Sequence, residues 1–77
     1  MTEGQVKFAT LLNIEIKGLD NIALIVARDL ESGVKNVYIG KSEGKTEEER
    51  ILKVMTLGAK ITAEKFEEIA TYIREVE

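Results

Sequence analysis

From Val6 to Ile16 the chain reads VKFATLLNIEI, and Val6, Phe8, Leu12, Ile14 and Ile16 alternate with Lys7, Ala9, Asn13 and Glu15. Alternation with period two predicts a half-buried β-strand. Gly18 and the pair Asp20-Asn21 then supply turn chemistry. The run Ile22 to Ala27 is apolar at every position, as expected of a central strand with both faces covered. Gly33 provides the positive φ that a tight hairpin needs. VKNVYIGK then predicts a third strand, with Val37 and Ile39 on one face and Tyr38 on the other. Two short connections imply an antiparallel meander with the second strand in the middle.

At Thr46 the period changes. In TEEE, Thr46 is placed to accept from the amide of Glu49 while Glu49 reaches back to the amide of Thr46, a reciprocal cap. Three successive glutamates suit the positive end of a helix dipole. Ile51, Leu52, Val54, Met55 and Leu57 supply an apolar stripe, and Gly58 weakens the helix near its end. Thr62 reads as a second N-cap, with Ile61 and Phe66 spaced as a hydrophobic staple. Phe66, Ile69, Ala70, Ile73 and Val76 form one face of the second helix, with Glu64, Glu67, Glu68 and Glu75 off it. Strands followed by helices predict the α+β class: a three-stranded antiparallel meander and then two α-helices packed on one sheet face, βββαα, as a single domain over residues 1–77.

If Phe8, Leu12, Ile14 and Ile16 face the helices, the opposite face collects Ala9, Leu11, Ala23, Ile25, Ala27 and Tyr38. An apolar patch at the centre of a sheet suggests a partner, and a small domain gains burial by oligomerising. These six residues are therefore the expected protein interface. On that reading Leu11→Glu or Ile25→Glu breaks an assembly while the isolated domain stays folded.

Composition narrows the chemistry. A chain of 77 residues removes only about 60–65% of its unfolded surface from water, too little for a cleft between two lobes. It has no cysteine, histidine, proline or tryptophan, so thiolate ligands, disulfides and the usual neutral-pH base are missing. The serines and threonines have no histidine to activate them. No acidic residue occupies a buried position by pattern, so a carboxylate pair with separated pKa values is not expected. Neither an enzyme, a cofactor nor a metal site is predicted. No apolar run approaches the roughly 20 residues of a membrane span, and no signal peptide is visible, so a cytoplasmic location is expected. High charge with few thermolabile residues resembles a thermophile's composition.

The stretch VYIGKSEGKTEEER partly resembles a phosphate-binding loop: a strand, glycines, Gly44-Lys45-Thr46, a helix. Gly40 and Gly44 are one residue too close for that pattern. Glu43 and Glu47 to Glu49 occupy the place of a phosphate, and an antiparallel setting has no strand to bring a magnesium ligand. The stretch is expected to be a capped strand-to-helix junction.

Charge is unevenly placed within the net −3. Residues 1–45 hold six basic and six acidic side chains; residues 46–77 hold five basic and eight acidic. Lys7, Lys17, Arg28, Lys35, Lys41 and Lys45, all in the strand half, are the candidate contacts for a nucleic-acid backbone, with Tyr38 available for stacking. Their acidic neighbours argue instead for solubilised edge strands. The sequence thus predicts a small non-catalytic interaction module, a homodimer or an accessory subunit of a larger protein complex, with nucleic-acid binding as the alternative.

Overall fold

The computed structural model describes residues 7–76. The sheet and two helices take the expected α+β form. The elements are β1 (Phe8–Glu15), β2 (Ile22–Asp29), β3 (Lys35–Lys41), α1 (Glu47–Leu57), β4 (Ala59–Thr62) and α2 (Ala63–Glu75). The strands form one antiparallel sheet in the order β1-β2-β3-β4. Val6, expected to open the first strand, lies outside the described residues.

The turns form where the sequence places them. Gly18 and Asn21 take positive φ in the first connection. In the second, Gly33 has φ 77° and its amide donates to the Asp29 carbonyl at 2.8 Å. Asp29 Oδ1 accepts from the amides of Glu31 (2.8 Å) and Ser32 (3.0 Å). Those two amides, Ser32 first, hold the Asp29 carboxyl below its ordinary pKa.

Thr46 caps α1, its hydroxyl accepting from the Glu49 amide at 3.1 Å. The return bond is displaced by one residue from the expected cap: Glu49 Oε1 accepts from the amide of Lys45, at 2.8 Å, instead of Thr46. At the other end Gly58 is the C-cap, its amide donating to the Val54 carbonyl at 2.9 Å. Gly58 also does more than end a helix. A Cβ there would sit 2.5 Å from the Ile39 carbonyl oxygen, and one on Gly40 would sit 2.7 Å from the Gly58 Cα. The two glycines let the helix end press against β3 backbone.

That approach delivers the chain to β4, a strand the sequence pattern did not announce. Four residues are too few for period two to register, yet Ile61 pairs with Val37 and Ala59 with Ile39. Thr62, the last residue of β4, is also the N-cap of α2, accepting from the Lys65 amide at 3.2 Å.

The core lies beneath α1. Ala23, Ile25 and Ala27 are each 1% exposed and Val54 is 0% exposed, with Phe8, Tyr38, Ile51 and Met55 packed around them. This reverses the expected assignment of the sheet faces. Ala23, Ile25, Ala27 and Tyr38, expected on the free face, lie on the helix-covered face. Two features explain the reversal. The alanines leave room for α1 to lie close to β2, and the register of β1 shifts between Thr10 and Leu12. Such a bulge changes which face the following residues occupy. Thr10 pairs with Ala27, but Leu12 pairs with Val26. Phe8 therefore joins the core, whereas Leu12 and Ile14 point the other way.

Candidate protein-interaction surface

The register defines the second face of the sheet. Residues paired directly across strands point to the same side. Leu12 with Val26, Ile14 with Leu24, Val26 with Val37, Leu24 with Ile39 and Val37 with Ile61 thus make one continuous set of apolar side chains across four strands. Val37, at its middle, is buried, whereas Leu12 and Ile14 at the β1 side are 47% and 48% exposed. Leu24, Val26, Ile39 and Ile61 are partly exposed. The charged residues at strand positions of this face are all basic: Arg28, paired with Lys35, at one end, and Lys41, paired with Ile22, at the other.

The six residues expected at the interface are divided by this geometry. Ala23, Ile25 and Ala27 are buried under α1 and present no surface to a partner. Tyr38 packs against that same core. Leu11 sits at the bulge and is exposed, and Ala9, paired with Arg28, is partly exposed on the open face. Leu12, Ile14, Leu24 and Val26 take the place of the alanine strip. Unbroken period-two alternation from Phe8 points Leu12 and Ile14 toward the helices. The signal pointing the other way was the double leucine at 11 and 12, where strict alternation already fails.

The six basic residues of the strand half fall into two groups. Lys7, Arg28 and Lys35 lie toward the β2–β3 hairpin; the Leu30 amide donates to the Lys7 carbonyl at 2.9 Å. Lys17, Lys41 and Lys45 lie toward the opposite end. Seven residues of β2 separate the groups, about 20 Å. Lys7 pairs with Glu31 at 3.7 Å and Lys41 with Glu43 at 3.9 Å. Arg28 Nη1 donates to the Gly33 carbonyl at 3.1 Å.

The glycine loop before α1 borders a shallow groove of about 440 Å³ whose walls include Glu43, Gly44, Glu49 and Lys53. Its carboxylates disfavour an anion, and the amides of Lys45 and Glu49 already donate to side-chain oxygens. Among the described residues, no group of three or more acidic side chains is arranged to hold a metal ion. Among the same residues, no helix is long and apolar enough to cross a membrane.

Comparison with protein families, with curated proteins and with solved structures finds no match.

Proposed function

We propose that this chain is a small, non-catalytic, self-associating interaction module of the cytoplasm, which works as a homodimer or as a subunit that docks through the same surface. The observation that carries this reading is the open sheet face, where Leu12 and Ile14 remain about half exposed beside Leu24 and Val26. A layer of sheet with an apolar face is stable when a second layer covers it.

Light scattering on the wild type and on Ile14→Glu tests the proposal. The wild type is expected at twice the chain mass, and Ile14→Glu at the chain mass with an unchanged circular dichroism spectrum. A wild type that stays monomeric at high concentration overturns the homodimer reading. The nucleic-acid alternative has less support, because the basic residues stand in two groups with acidic neighbours instead of one track. A titration with labelled oligonucleotides at low salt separates the two readings, since phosphate contacts weaken as salt is added.

A further inference from the structure

We draw no further inference here: the strongest candidate, the exposed apolar stripe of Ile69 and Ile73 at the C-terminal end of α2, is an unpartnered helix face, and nothing in the structure shows what covers it.

Discussion

The two faces of the sheet are built from the same central strand and have opposite fates. On one side β2 presents Ala23, Ile25 and Ala27, and α1 seals them almost completely. On the other it presents Ile22, Leu24 and Val26, larger and greasier, and these remain partly exposed. The side with less apolar bulk is the one that is buried. Small side chains let a helix approach the strand closely, so its own residues, Val54 above all, fill the layer. The larger side chains instead project from the sheet as a surface ready for another layer. Bulk along a strand therefore does not reveal which side holds the intramolecular core; the reach of the covering helix does.

The largest expected contrast between the faces comes from matched substitutions. Ile25→Ala, beneath α1, should cost about 2–5 kcal/mol of stability, measured by denaturant unfolding of the chain. Ile14→Ala, on the open face, should leave the stability of a monomeric background nearly unchanged and weaken association. If both substitutions cost the same in a monomer, the distinction between the faces is wrong.

A smaller effect is expected at the junction that holds α1 over its face. Thr46→Ala removes the hydroxyl that accepts from the Glu49 amide and should cost about 1 kcal/mol. In a domain of this size that lowers the melting temperature by about 4–8 °C. Thermal melts of Thr46→Ala and Thr46→Ser separate a capping role from simple loss of bulk, because serine should restore most of the loss.

The smallest effect concerns the hairpin beside the open face. The Asp29 carboxyl has a lowered pKa because it accepts from the amides of Ser32 and Glu31. A depressed folded-state pKa contributes stability that is present above the unfolded value and lost as pH falls through the folded one. Below about pH 4 the wild type should lose this contribution, and Asp29→Ala should not. Acid titration of the two melting temperatures checks it: the gap between them should narrow as pH falls.

Much of the architecture was legible because local chemistry is explicit in this chain. Turn residues at Gly18, Asn21 and Gly33 and caps at Thr46 and Thr62 sit where the periods change, and each does in the structure what its side chain or backbone freedom permits. β4 was illegible because four residues carry no period and because its pairing depends on the close contact of Gly58 with β3. The faces were misread for a related reason. In a strand apolar on both sides, nothing local distinguishes inside from outside, and the bulge at Leu11 silently reverses the phase of β1. Three of the six residues first expected at the interface are consequently interior, while Leu12 and Ile14, first placed inside, are at the surface.

The measurement that tests the account most directly is the concentration dependence of unfolding. If the open face is completed by a second copy, folding and association are linked, and the denaturation midpoint of the wild type should rise steadily with chain concentration. The Ile14→Glu chain should show a lower midpoint that does not change with dilution. A wild-type midpoint independent of concentration, with the chain at its monomer mass throughout, would contradict the claim that the sheet needs a second copy to cover it.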